Sequence, residues 1–207
     1  MICLRFFVSA FTIILKYTIM KGRYFMNEVL KTIADRYSCR DFLATSPTKE
    51  QIENLVNAAL ASPSALNLQP WHIIVVADKS LIDEMDTVAM EMGKVNNEPW
   101  YSRMMERGGK MFYNAPCMIF IMSDGSNYAT LDCGIVSQNI ALAAHSMGLA
   151  SVICGMARIP LGGEKGEEFK KRLKVPEGYE FGMSVCIGHA NSAKTPHELV
   201  ESKVTYV

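Results

Sequence analysis

The 207-residue chain reads as an α+β protein, and three observations carry that reading. Trp71-His72-Ile73-Ile74-Val75-Val76 and Cys117-Met118-Ile119-Phe120-Ile121-Met122 are continuous runs of the length and composition of strands covered on both faces. Leu131 to Met147 is apolar nearly all round, as expected of a helix buried at the centre of a fold. Thr48-Lys49-Glu50-Gln51, following Pro47, has the form of a capping box that opens another helix.

From Met26 onward the predicted order is helix, helix, strand, helix, helix, strand, helix, strand, short helix, strand and a terminal strand. The helix opened at Thr48 carries Ile52, Leu55, Val56, Ala59 and Leu60 at core-facing spacing, and Pro63 helps to end it. The first strand begins at Trp71. Residues 93–110, with Gly93, Gly108 and Gly109 around a Met/Arg/Glu-rich middle, read as an excursion that suits a lid or channel wall, or equally an ordinary helical hairpin. The second strand follows Ala115-Pro116, and Asp124-Gly125 turns the chain. The central helix closes with Gly148 at its C′ position. Val152-Ile153 and Met183 to Ile187 supply further strand material. No repeat or long linker divides residues 26–207, which form one expected domain after an apolar extension, residues 1–25.

Composition bounds the function. An apolar fraction of 49% and a charged fraction of 20% describe a globular chain with a sizeable core. The net charge is zero, but residues 1–25 hold four basic residues and no acid, which leaves 17 basic against 21 acidic in the remainder. No basic stripe interleaved with aromatics appears, so nucleic-acid binding is not expected. The six cysteines contain no Cys-x-x-Cys pair and the four histidines have no ligand spacing. Reduced, buried thiols in a cytoplasmic protein are expected, and no metal. A Gly-x-Gly-x-x-Gly after a strand, a P-loop and a nucleophile elbow are all missing. Cys154 reads as a small packing residue and His72 as a structural hydrogen-bond partner.

Two segments stand out chemically. Ser62-Pro63-Ser64-Ala65-Leu66-Asn67-Leu68-Gln69-Pro70-Trp71 joins a helix to a strand, a common place for a binding loop. Its small residues would let a flat ring approach the backbone. Asn67 and Gln69 each offer a donor and an acceptor, which suits the alternating C=O and N–H edge of a heterocycle such as a flavin. The same residues also suit a turn whose amides satisfy local backbone. In Asp35-Arg36-Tyr37-Ser38-Cys39-Arg40-Asp41, Arg36 and Arg40 share a face of a helix, and with Ser38 they share a face of an extended segment. Two guanidinium forks and a hydroxyl fit a phosphate. A solvated helix end with arginines paired to Asp35 or Asp41 is the alternative.

Arg36/Ser38/Arg40 and Pro63-Ser64-Ala65-Leu66-Asn67-Leu68-Gln69-Pro70-Trp71, in this order and roughly this spacing, resemble the nitroreductase family of FMN-dependent oxidoreductases. The resemblance covers most of Met26 to Val207 and continues through Leu131 to Asn139 and Gly148-Leu149-Ala150-Ser151. It implies a central mixed β-sheet flanked by helices in an intertwined homodimer, with FMN at the interface. Arg36, Tyr37, Ser38 and Arg40 of one subunit would bind the phosphate and ring oxygens, and Pro63, Ser64, Ala65, Leu66, Asn67 and Gln69 of the other would cover the flavin. Cys154-Gly155 resembles the segment whose backbone N–H faces flavin N5, although the family has more glycine or an aromatic here. The family's C-terminal phosphate-binding arginine is replaced by His197, with Lys194 nearby. Implied function is hydride transfer from NAD(P)H to an oxidised acceptor such as a nitroaromatic or quinone, by a ping-pong route. No side chain is required as acid, base or nucleophile. Reductive dehalogenation, enone reduction and flavin storage with slow turnover are the alternatives.

Residues 1–25 have three readings. The run Phe6 to Leu15 is too short to span a bilayer, which needs about 20 residues. A signal peptide fits its length but lacks an Ala-x-Ala site. A helix that packs in the dimer or against a membrane is a second possibility. The third is a natural start at Met26, because the codons for Lys21-Gly22-Arg23 can form a ribosome-binding site and the family resemblance begins just afterwards.

Overall fold

The computed structural model describes residues 27–207, so the apolar extension and its three readings lie outside the described residues. The described chain separates into two compact units, one of residues 27–36 with 196–207 and the other of Tyr37–Thr195.

The smaller unit contains helix α1 (Glu28–Asp35), whose N-terminus is capped by the Asn27 side chain accepting from the Val29 N–H at 2.8 Å. None of its residues is buried, and Val29, Leu30 and Ile33 point an apolar stripe outward. The expected terminal strand does not form. Residues 196–207 hold only a 3₁₀ turn, Glu201–Lys203, while Leu199, Val200 and Val204 are exposed. A strand needs an edge to take its backbone groups, and within the described residues this segment pairs with none.

In the larger unit, α2 (Lys49–Leu60) begins with the predicted capping box. Thr48 Oγ1 accepts from the Gln51 N–H at 3.2 Å, and Gln51 Oε1 accepts from the Thr48 N–H at 2.9 Å. Leu55 and Ala59 are buried and Ile52 and Val56 half-buried, but Leu60 is exposed. Successive i+4 steps drift by about 40° around a helix, which carries Leu60 off the stripe that Ile52 begins.

Strands β1 (Trp71–Val76), β2 (Cys117–Ser123), β3 (Ala150–Ile153) and β4 (Glu180–Gly188) form one sheet in the order β1-β2-β4-β3. Every pairing between these strands is antiparallel. The only parallel component among the described residues is an isolated bridge from Ser38 to Ser151, so the expected mixed character enters the sheet there alone. β2 is central and fully buried, as its sequence predicted. β1 carries the same kind of sequence but lies at an edge, where His72 is exposed and Ile73 to Val75 are half-buried.

Helices cover both faces. Cys117, Ile119 and Ile121 of β2 pack with α2 and with α5 (Ala129–Ser146) through Leu55, Val136 and Ile140. Their neighbours Met118, Phe120 and Met122 face α3 (Lys79–Val95) and α4 (Pro99–Glu106) through Leu81, Met85 and Met104. This alternation is the two-residue period of a strand read on two sides. Two short helices, α6 (Arg158–Gly162) and α7 (Gly166–Arg172), complete the second layer. Gly148 ends α5 at φ +74°, and the Leu149 N–H reaches back to Ala144 O at 2.9 Å. Leu131 is 64% exposed, so α5 is not buried all round. At Gly182 in β4 a Cβ would lie 2.6 Å from Cys133 Sγ and 2.8 Å from the Ile121 carbonyl oxygen, so this position fixes how closely α5 approaches the sheet.

The excursion at 93–110 is a helical hairpin. Gly93 is buried within α3, where the Trp100 ring occupies the space a side chain would need. The hairpin returns to the core at Met111.

Candidate functional site

The loop between α2 and β1 has an unusual backbone. Leu66, Asn67 and Gln69 adopt left-handed conformations with φ of 51°, 55° and 49°, around a 3₁₀ turn at Ala65–Asn67. Non-glycine residues rarely sit there, and each costs about 1–3 kcal/mol unless the surroundings hold it. Several bonds do so. Ser64 Oγ accepts from the Gln69 N–H at 2.9 Å, and the Asn67 and Leu68 N–H groups donate to Ser64 O and Ala65 O, each at 3.0 Å. Gln69 Nε2 donates to Asn67 Oδ1 at 3.2 Å. The two amides thus brace each other, and Asn67 Nδ2 and Gln69 Oε1 have no bond within the described residues. A free donor beside a free acceptor is what the edge of a heterocycle needs.

The loop is fastened at both ends. At the exit, the Asp124 N–H donates to Pro70 O at 3.0 Å. At the entrance, Asn139 of α5 donates to the buried Ser62 Oγ at 2.9 Å and more weakly to Ala58 O at 3.4 Å. Pro63, Ser64, Ala65, Leu66, Asn67 and Gln69 are therefore together, with Leu66 92% exposed at the tip.

Residues 37–43 are extended rather than helical. Ser38 bridges Ser151, the Cys39 N–H donates to Ser151 O at 2.9 Å, and Phe42 bridges Ala190. The segment thus runs along the β3 edge of the sheet. Arg40 is exposed and makes only a long bond, Nη1 to Ser38 O at 3.5 Å. Its guanidinium also faces the hydroxyl of Tyr113. Tyr37 donates to Ser192 O at 3.2 Å, and Asn191 bonds Asp41 through backbone and side chain, which brings the 190–194 segment with exposed Lys194 to this edge. Neither arginine pairs with Asp35 or Asp41: Asp35 takes Lys31 and Asp41 takes Asn191. Arg36 and His197 belong to the smaller unit. Arg36 caps α1 with its N–H on Thr32 O, and its Nε is buried with no hydrogen-bond partner within the described residues. His197 is exposed.

Cys154 and Gly155 follow β3. The Cys154 N–H donates to Ser184 O at 2.8 Å, and Ser184 Oγ donates to Cys154 O at 2.6 Å, so the buried serine holds the turn into the 3₁₀ segment Gly155–Ala157. Cys154 lies in one cluster with Cys186, and the neighbouring Cys154 sulfur and burial together push the Cys186 thiol well above its usual range.

The sheet order separates these groups. The 62–70 loop leads into β1, while Ser38, Arg40 and Cys154 lie along β3, at the opposite edge. Three inter-strand spacings make that about 14 Å across the sheet. One chain does not bring the two halves together.

Sequence reasoning missed Asp86, Tyr113, Asn139 and Ser184. Asp86 is 2% exposed, and its carboxylate accepts the N–H groups of Met111 at 3.2 Å and Phe112 at 2.9 Å, where the hairpin rejoins the core. Burial pushes its carboxyl up in spite of both bonds. The next two residues, Tyr113 and Asn114, are left-handed, with φ of 56° and 59°. Burial likewise raises the Tyr113 hydroxyl above its usual range. The available signal was polarity out of place: Asn139 in an apolar helix and Ser184 in an apolar strand. A cavity of about 450 Å³ is lined by Met92, Glu98, Trp100, Met156, Arg158 and Ile159, so the hairpin supplies one of its walls.

No helix among the described residues is long and apolar enough to cross a membrane. The sequence profile of the Nitroreductase family matches residues 33–189. A crystal structure of a nitroreductase with bound FMN from Desulfitobacterium hafniense is 47% identical, covers 88% of this chain and 99% of its own, and superposes with a TM-score of 0.84. An FMN-dependent nitroreductase from Clostridium difficile is 27% identical over 87% of this chain and 99% of its own, with a TM-score of 0.73. Among curated relatives, an FMN reductase (NAD(P)H) from Bacillus subtilis is 26% identical over 195 residues, 88% of this chain and 76% of the relative.

Proposed function

This chain belongs to the nitroreductase family, and from that premise we propose that it is an NAD(P)H-dependent FMN oxidoreductase acting as a homodimer. The observation that carries the reading is the 62–70 loop, whose left-handed residues are held so that a free amide donor and acceptor stand side by side. The β3 edge of the larger unit fits a phosphate-bearing flavin, because Arg40 there has donors to spare; Arg36, in the smaller unit, has a buried Nε with no partner within the described residues, a donor that a phosphate would satisfy.

When bound, FMN would supply hydride transfer between NAD(P)H and an oxidised acceptor, so the two substrates would use the site in turn. The chain's own residues bind and orient. Arg36, Ser38 and Arg40 would hold the phosphate and ring oxygens, and Tyr37, Lys194 and His197 would add further polar contacts. Pro63, Ser64, Ala65 and Leu66 would cover the ring, and Asn67 and Gln69 would meet its polar edge. Ser184 fixes the turn that presents the backbone at Cys154-Gly155. The acceptor is a planar nitroaromatic or quinone, for which Trp100, Met92 and Met156 offer flat and polarisable walls.

Two half-sites at opposite edges of one sheet support the dimer. Apolar groups left uncovered support it: Leu131 on α5, Val29 and Ile33 on α1, and Val200 and Val204 in the C-terminal segment. Among the described residues, five buried, unbridged thiols suit a reducing compartment such as the cytoplasm.

An absorption spectrum of the purified protein, taken before and after NADH or NADPH, tests the reading. A flavin band that bleaches with the nucleotide and returns with a quinone is expected. A colourless protein that FMN cannot reconstitute refutes it.

A further inference from the structure

The candidate loop is strained at three residues, so its conformation must be imposed from outside. Its internal bonds, from Ser64 to Gln69 and between Asn67 and Gln69, are exposed and belong to the strained segment itself. At the exit the tie is backbone to backbone, from the Asp124 N–H to Pro70 O. At the entrance it is a side chain, Asn139, which donates to Ser62 Oγ and, at the end of α2, to Ala58 O. Ser62 is only 6% exposed, so this part-buried bond is better shielded from water than those inside the loop.

Asparagine is a weak choice for a helix interior, because its amide competes with the backbone. It stands in α5 between Val136 and Ile140, both fully buried, beside the contact with α2. At this half-buried position its amide is directed to Ser62 and to the end of α2. We infer that Asn139 is a positioning residue for the cofactor loop: through Ser62 it sets where the loop leaves α2, and so holds the left-handed turn that presents Asn67 and Gln69. This rests on the flavin reading in what the loop binds, but not in what holds the loop.

Two variants test it, Asn139→Leu and Ser62→Ala, in the full chain with and without FMN. Hydrogen exchange of the Asn67, Leu68 and Gln69 amides is measured on the FMN-free protein. Each variant is expected to exchange these amides about 3- to 10-fold faster, the range one neutral hydrogen bond commands, with β2 amides changed less. FMN dissociation constants should rise by a similar factor, and the double variant should be no worse than the worse single one. KM for the acceptor should move less than the FMN constant. Unchanged loop exchange, or effects of the two substitutions that add in full, would overturn the inference. If Asn139→Leu does not fold, Ser62→Ala alone decides, since it removes the acceptor and leaves α5 intact. A wild-type protein that binds no FMN defeats the flavin reading, and the exchange arm still judges Asn139.

Discussion

Replacing Asp86 with alanine should loosen the return of the α3–α4 hairpin to the core, and the structure allows its size to be worked out. The carboxylate is the acceptor for the N–H groups of Met111 and Phe112, residues that are themselves fully buried. Without it both donors are stranded, at about 1–3 kcal/mol each, or about 2–6 kcal/mol together. Against this, the variant no longer buries a charge, a cost visible in the upward displacement of the Asp86 carboxyl. The net loss should be about 2–4 kcal/mol, which for a chain of this size lowers the melting temperature by about 4–16 °C. Asp86→Asn keeps one acceptor and should lose about 1–2 kcal/mol. Because the folded carboxyl lies above its unfolded value of about 3.9, the folded state binds the proton more readily. Asp86 therefore contributes most below that value, and its contribution falls as pH rises through the folded one. The advantage of wild type over Asp86→Asn should accordingly be larger near pH 4 than at pH 7. Urea unfolding at both pH values measures this. An alanine variant within 0.5 kcal/mol of wild type, a margin of about ordinary surface substitutions, would refute the reasoning.

Two other outcomes are expected. Arg40→Ala should weaken FMN binding about 10- to 100-fold, from about 1.5–3 kcal/mol for a charged hydrogen bond, and an unchanged flavin titration would remove Arg40 from the phosphate site. Gly182→Ala should cost about 1–3 kcal/mol, because the new methyl meets Cys133 Sγ and the Ile121 carbonyl and neither has room to retreat; an unaltered denaturant midpoint would mean that α5 sits more loosely than described.

Local chemistry was legible in the sequence wherever a few neighbouring residues decide the outcome. The capping box at Thr48 and Gln51, the glycine stop at Gly148 and the buried run of β2 all formed as read. The 62–70 loop stands out in the sequence but its left-handed turns do not, since only Asn67 favours that conformation and Leu66 and Gln69 do not. Position in the sheet was also hidden. β1 and β2 have similar apolar runs, yet only β2 has neighbours on both sides, and strand order depends on long-range pairing. Asp86 reads in sequence as one more solvated acid on an amphipathic helix, and only the fold shows that the Met111 and Phe112 amides converge on it. Leu131 and the C-terminal segment read as core and strand because their sequence is apolar, but a single chain offers them no cover.

The five buried cysteines give this molecule a built-in record of how it comes apart. Cys117 and Cys133 lie in the layer between the sheet and α5, whereas Cys39, Cys154 and Cys186 lie in the layer under α3. Burial pushes the Cys117 and Cys133 thiols to about 11, so the folded protein withholds from an alkylating reagent both access and the reactive thiolate. Each thiol becomes available only when its own layer opens. The order in which the alkylated cysteines appear under mild denaturant would therefore tell which of the two hydrophobic layers parts first, with no foreign probe introduced into either.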